Sequence, residues 1–291
     1  MTFAVRRVCE ALLVSAACAA LSVLSAQSAG TAKQPPLPPD LPAFAPVPTT
    51  FEGLFAERDA RALDVLGYLR CIEATVAALR AGALGGVERG WSLTCLKQGT
   101  EWRGIFGELT DTPPGMRVRV QYALRDGGLA GVADRGAVGR GMVVRDPVDT
   151  ARAAGTARAL LRGLAATAPG NGIGQFIPVT LAQKNFTEVW FVPSANTPDR
   201  AIVGGDSVIQ MSADGTRELG HAKSAPRVRV LAIPPGATTY TLDSSEPTQP
   251  LMTELMLAHL AIDLLPELRV RTRDYDAILT RSTRRWTFVK R

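Results

Sequence analysis

Asp243, Ser244 and Ser245 precede Glu254 by about one helical turn and a loop, and the chain's two histidines are His221 and His259. These are the residue types from which a hydrolytic site is built: a hydroxyl nucleophile, an imidazole to take its proton and a carboxylate to orient the imidazole. His221, Asp243, Ser244, Ser245 and Glu254 are therefore the candidates for hydrolysis. No nucleophile elbow surrounds either serine, and Ser-Ser-Glu-Pro reads more simply as a turn before a helix. Catalysis would require the fold to bring His221 within hydrogen-bond reach of a serine, about 3 Å.

Metal chemistry is limited by ligand supply. The scattered His221 and His259 and two cysteines have no ligand spacing, so neither a metal nor any other cofactor is expected. His259 stands four residues before Asp263, a spacing at which helical side chains touch, and reads as a structural histidine. Gly170-Asn171-Gly172-Ile173-Gly174 has the glycine content of a phosphate loop. A helix precedes it and a strand follows it, the reverse of the order phosphate binding needs, so it reads as a connector.

Basic charge is the other candidate. The chain carries a formal +6, and residues 268–291 hold eight arginines and lysines against Asp274 and Asp276. Arg269, Arg271 and Arg273 alternate with Leu268 and Val270, which puts the arginines on one strand face. Such a stripe suits an acidic polymer, an anionic membrane surface or an envelope protein. The alternative is a solvated strand face with carboxylates as neighbours. Arginine outnumbers lysine amid abundant alanine, glycine and proline, as GC-rich coding produces, so the arginines alone are no specific nucleic-acid signal.

Residues 1–28 have the order of a secretory signal: Arg6 and Arg7, an uncharged apolar run from Ala11 to Leu24, then small residues. The run is short for a membrane helix, which needs roughly 20 apolar residues, so cleavage is expected. Ser15-Ala16-Ala17-Cys18 offers a lipoprotein alternative without the usual aliphatic residue three places before the cysteine. Residues 29–50 form a proline-rich linker whose prolines favour an extended spacer. If Cys9 and Cys18 leave with the signal, Cys71 and Cys95 remain, and an even pair in an oxidising periplasmic or secreted setting reads as a disulfide. The alternative is two small buried hydrophobes that never meet.

The elements that must position these groups follow from periodicity. Leu63, Leu66, Leu69, Ile72, Val76 and Leu79 recur at helical spacing over 51–80, with Arg61, Asp64, Glu73 and Arg80 on the other side and a stop at Gly82, Gly85 and Gly86. Strands are expected over 91–98 and 101–110 around Gly99-Thr100, and from Met116 to Leu124 with Met116, Val118, Val120, Tyr122 and Leu124 inward. Asp146-Pro147 marks a helix start running to about Ala168. Beyond it come strands at 176–183, 188–192, 202–211, 217–221 and 227–232, with a turn at Asp214-Gly215. An all-round apolar helix spans 250–265, and strands at 268–272, 275–280 and 285–289 finish the chain. The expected fold is α+β, antiparallel sheets packed with about three helices in one or two lobes, 51–145 and 146–291.

From 176 to 273 the runs FIPVTLAQ, TEVWFVPS, IVGGDSVIQMSADG, SSEPTQPLMTEL and LRVRTRD resemble uncharacterised exported bacterial proteins. The same strand, loop and helix order is similar to that of JAMM metalloisopeptidases, whose zinc is held by a His-x-His pair and an aspartate on the next helix. Thr239 and Thr241 stand where those histidines belong, and Thr253-Glu254 supplies no matching aspartate, so the resemblance implies a copy without zinc. Together these readings favour an exported, non-enzymatic binding or structural module, with a hydrolase around His221, Ser244 and Glu254 as the competing class.

Overall fold

The computed structural model describes residues 50–81, 91–112, 114–124, 149–166, 176–193, 200–223 and 228–291. The export signal, most of the proline-rich linker, Gly82 to Gly86, Asp146-Pro147 and the loop from Gly170 to Gly174 lie outside the described residues. Among the described residues three helices and several sheets form an α+β fold, as the periodicities imply.

Helix α1, Phe51–Ala81, opens at Thr50, whose hydroxyl accepts the Gly53 N–H at 3.1 Å. Its buried positions are Phe55, Ala62, Val65, Leu66, Tyr68, Cys71, Thr75 and Ala78. Leu63, expected inward, is 46% exposed. The small and aromatic residues turn inward because α1 is covered from several directions at once, so no single leucine stripe defines its buried face.

Strands β1, Trp91–Gln98, β2, Glu101–Asp111, and β3, Pro114–Leu124, form the first antiparallel sheet. The expected alternation along β3 holds for Met116 and fails beyond a bulge opposite Phe106 and Gly107. One extra residue there reverses the facing, so Gln121 is buried in place of Tyr122. Helix α2, Thr150–Ala166, follows, capped by Asp149 Oδ1, which accepts the Arg152 N–H at 2.9 Å. Strands β4, Phe176–Ala182, β5, Phe186–Pro193, β7, Ser207–Ser212, and β8, Glu218–Lys223, make a second antiparallel sheet.

The expected strand over 202–211 is two strands. β6, Arg200–Val203, leaves to pair with β9, Arg229–Ala232, because Gly204 and Gly205 take φ of 78° and 73°, a turn that side-chain-bearing residues rarely make. β10, Thr239–Asp243, was not legible as a strand and runs parallel to β11, Glu267–Arg271, through the crossover helix α3, Met252–Ala261. α3 is shorter at both ends than its apolar run, and Leu264 lies past it, half exposed. β12, Tyr275–Thr280, and β13, Arg285–Lys290, complete a third sheet in the order β10-β11-β12-β13.

Side-chain facing shows how the layers stack. In the first sheet Cys95 and Trp102 pack on α1, while Leu96, Ile105 and Met116 pack on Ala153, Ala154 and Ala157 of α2. In the second, Val179 and Leu181 face α1, while Val189, Phe191, Ile209 and Met211 gather with Ala159 of α2. The inner face of the third sheet, Leu242, Leu268, Val270 and Leu279, lies on Leu257, Ala258, Ala261 and Ile262 of α3. The cluster around α1 holds residues from before 145 and after 146, so packing crosses the suggested lobe boundary.

Cys71 of α1 and Cys95 of β1 are bridged, with Cα atoms 6.2 Å apart. Their neighbours are fitted to close approach: a Cβ on Gly104, the register partner of Cys95, would lie 1.8 Å from Thr75 Oγ1. A Cβ on Gly67 would lie 2.3 Å from Trp102 Nε1. The bridge therefore closes a contact that packing has already made tight. Replacing both cysteines by alanine is expected to cost about 3 to 4 kcal/mol, the chain-entropy value for a loop of this length. Urea unfolding with and without reductant checks this, since reductant should bring the parent down to the variant and leave the variant unmoved.

Candidate functional site

The hydrolytic candidates divide when the chain folds. α3 begins at Leu251, which has no side-chain acceptor for a cap, so only the return half of a capping box forms. Glu254, at the third helical position, reaches back and accepts the Leu251 N–H at Oε2, 2.9 Å. Its other contacts come from two further segments. Ser244 donates its hydroxyl to Oε2 at 2.7 Å, the Ser245 N–H donates to Oε1 at 2.9 Å, and Arg229 Nη2 of β9 donates to Oε1 at 2.8 Å. The side chain of Glu254 is fully buried.

Ser244 and Glu254 do meet, but as donor and acceptor with no imidazole between them. His221 sits exposed on β8, an edge strand of the second sheet, opposite Ile209. Asp243 points to the open side of the third sheet, where its carboxylate is 3.8 Å from Arg271 Nη1 and mostly exposed. A carboxylate that accepts four donors has its lone pairs committed, so it is poorly placed to take a proton from a substrate or orient a base. Its arrangement suits holding β9, the end of β10 and the start of α3 together.

Adjacent polar groups extend this node. Thr253 Oγ1 accepts the Gly204 N–H at 3.0 Å and lies 3.4 Å from Asp206 Oδ1, tying α3 to the β6–β7 corner. Arg58 of α1 donates from Nη1 to the Pro250 carbonyl at 2.8 Å. Burial pulls the Arg58 guanidinium below its ordinary value, opposed by the charges of Asp206, Glu246 and Glu254. His259 Nε2 lies 2.7 Å from Asp59 Oδ1, a pairing between α3 and α1 in place of the Asp263 contact that spacing suggested. Asp263 instead pairs with Arg284. Arg58, Asp59 and Arg229 carry no motif, and the one signal for this node in the sequence is Glu254 three places after Leu251.

The arginine stripe is partly as expected. Register puts Thr239, Glu267, Thr280 and Arg285 in one row across the outer face of the third sheet. Thr241, Arg269, Ile278 and Thr287 form the next, and Asp243, Arg271, Asp276 and Val289 the third. Arg269, Arg271 and Arg285 thus share this face with Glu267, Asp276 and Asp243, whose carboxylates answer Arg269 and Arg271. Arg269 lies 3.4 Å from both Glu267 and Asp276, and Arg271 Nε donates to Asp276 at 3.1 Å. Arg273 stands past the strand end, exposed, its N–H donating to the Pro247 carbonyl at 2.9 Å. Thr239 and Thr241 face outward while α3 packs on the inner face, so those positions do not converge with Thr253 and Glu254.

Among the described residues no three histidine, cysteine or acidic side chains form a group that could hold a metal ion. Cys71 and Cys95 are brought together as a bridge and supply no thiolate. The chain matches no family model, no curated protein and no solved structure, and the roles of its residues rest on geometry.

Two substitutions separate a structural node from a catalytic one. Glu254→Ala strands the Leu251 and Ser245 N–H groups and is expected to cost about 2 to 6 kcal/mol, at about 1 to 3 for each buried unsatisfied donor. Ser244→Ala removes one donor and should cost about 1 kcal/mol. Urea unfolding of both variants gives these values, and a Ser244→Ala chain of parental stability that had lost an esterase activity would restore the catalytic reading.

Proposed function

We propose that the chain is an exported, non-enzymatic module of a bacterial envelope, stapled by an oxidised α1–β1 bridge, that binds a linear polyanion along the β12–β13 hairpin. The carrying observation is the distribution of unmatched charge. Arg269 and Arg271 are answered by carboxylates on their own face. Arg281, Arg285 and Lys290 are exposed and have no carboxylate partner among the described residues.

Arg285 and Lys290 are the two ends of the edge strand β13, Arg281 lies in the turn before it, and Arg291 is exposed just beyond it. Arg285 and Lys290 are separated by about 17 Å of extended chain, at roughly 3.4 Å per residue. Arg285 and Lys290 leave opposite faces of the strand, so these charges run along its exposed edge and form no coplanar patch, which suits a chain-like anion better than a flat surface. The binding site thereby moves from Arg269, Arg271 and Arg273 to the hairpin and the chain end.

Export is supported by the order of residues 1–28 and by a buried disulfide joining α1 to β1, since structural bridges persist in oxidising compartments. No described helix is long and apolar enough to cross a membrane. The non-enzymatic part is supported by the commitment of Ser244 and Glu254 to each other and to backbone donors.

Heparin serves as a test polyanion. The chain should be retained at about 0.1 M salt and released as salt rises, because screening over about 10 Å weakens exposed charges. Arg281→Ala, Arg285→Ala and Lys290→Ala together should elute at distinctly lower salt, while Arg269→Ala with Arg271→Ala should shift little. No retention, or equal shifts in the two variants, would refute the assignment. Capture by anionic vesicles without heparin retention would point to a lipid surface instead.

A further inference from the structure

A cavity of about 190 Å³ opens where five elements meet beside the disulfide. Its polar wall is Asp64 of α1, Lys97 of β1, Arg152 of α2 and Gln183 at the end of β4, and Trp102 and Leu181 supply apolar wall. Asp64 and Lys97 answer each other, Nζ to Oδ1 at 2.5 Å. Arg152 has no carboxylate partner among the described residues.

Arg152 Nη2 donates to the Ala182 carbonyl at 2.7 Å, which fixes the guanidinium against β4. Its Nε is buried and meets no acceptor among the described residues. The nearest carboxylate in sequence, Asp149, is engaged with the backbone N–H of Arg152 as the helix cap. Arg152 lines the cavity with no carboxylate beside it among the described residues, and an anion placed there would pair with its guanidinium through a charge-assisted hydrogen bond. Setting Lys97 against Asp64 leaves the wall with one net positive charge.

We propose that this cavity is a binding site for a small organic monocarboxylate, its carboxylate on Arg152 and a compact apolar body against Trp102 and Leu181. Size agrees with that class. A dry engineered cavity of about 150 Å³ accepts benzene, so one of this volume has room for a ring bearing a single carboxylate. Its wall mixes the polar side chains of Asp64, Lys97, Arg152 and Gln183 with the apolar Trp102 and Leu181, a make-up that suits a ligand with one charged end and one apolar end. The cavity is built from α1, β1, β2, α2 and β4 and stands apart from the β12–β13 hairpin, so it does not depend on the polyanion reading.

Benzoate and its neutral isostere benzamide make the test, titrated by calorimetry into the full oxidised chain at up to about 10 mM. Benzoate should saturate, and benzamide should bind at least about tenfold more weakly, a difference of about 1.4 kcal/mol. Arg152→Gln should remove the preference for benzoate. Asp64→Asn keeps Arg152 in place, frees Lys97 and should tighten benzoate severalfold, which keeps the test decisive if Arg152→Gln does not fold. Failure of benzoate to saturate, equal binding of benzamide, or benzoate affinity that ignores both substitutions would overturn the site.

Discussion

Helix α1 has to be held against β1 for the rest of the molecule to assemble around it. Phe55, Val65, Tyr68 and Cys71 belong to one cluster that also contains Cys95 and Trp102 from the first sheet, Val179 and Leu181 from the second, and Met252 and Leu255 from α3. Loss of the α1 position would therefore open several interfaces together. The Cys71–Cys95 bridge restrains that position from within the cluster, and Gly67 and Gly104 let the backbones come close enough for it to form. α2 uses small residues for a related purpose. Ala153, Ala154 and Ala157 meet the first sheet and Ala159 the second, so the helix fits between two layers that larger side chains would separate.

Buried charge in this protein is arranged to join elements. Glu254 links β9, the exit of β10 and the start of α3. Glu188 of β5 meets Arg61 of α1 at 2.9 Å, with burial raising its carboxyl and Arg61 lowering it. His259 and Asp59 join α3 to α1. Each pairing crosses between elements that the apolar clusters already bring together. Removing one partner leaves the other stranded, so such pairs specify which elements meet even when their net contribution to stability is small. The same logic accounts for the gathering of Ser244, Glu254 and Arg229 at the start of α3.

Local features were legible in the sequence, and features that depend on register were not. The β1–β2 hairpin follows from alternation around Gly99-Thr100, and α3 from its apolar run, because each pattern is contained within one element. The cysteine pairing followed from having only two cysteines beyond residue 28. Gly204-Gly205 lay in plain view within an apolar run, yet only the destination of β6 shows that the pair ends one strand and redirects the next. The neutral arginine face was hidden for the same reason: Asp243, Glu267 and Asp276 belong to three strands, and their adjacency to Arg269 and Arg271 exists only once those strands are aligned. Lys97 and Arg152 likewise share a cavity wall while standing far apart in the chain, with no motif to connect them.

The central claim is that this fold is made outside the reducing cytoplasm and closed there by the Cys71–Cys95 bridge. Intact mass of the chain recovered from the periplasm of an expressing bacterium, alkylated without reductant, tests it most directly. The account predicts a chain shortened by about 28 residues, as a cleaved signal requires, carrying no alkylated cysteine. An uncut N-terminus, or alkylation of both Cys71 and Cys95, would contradict it.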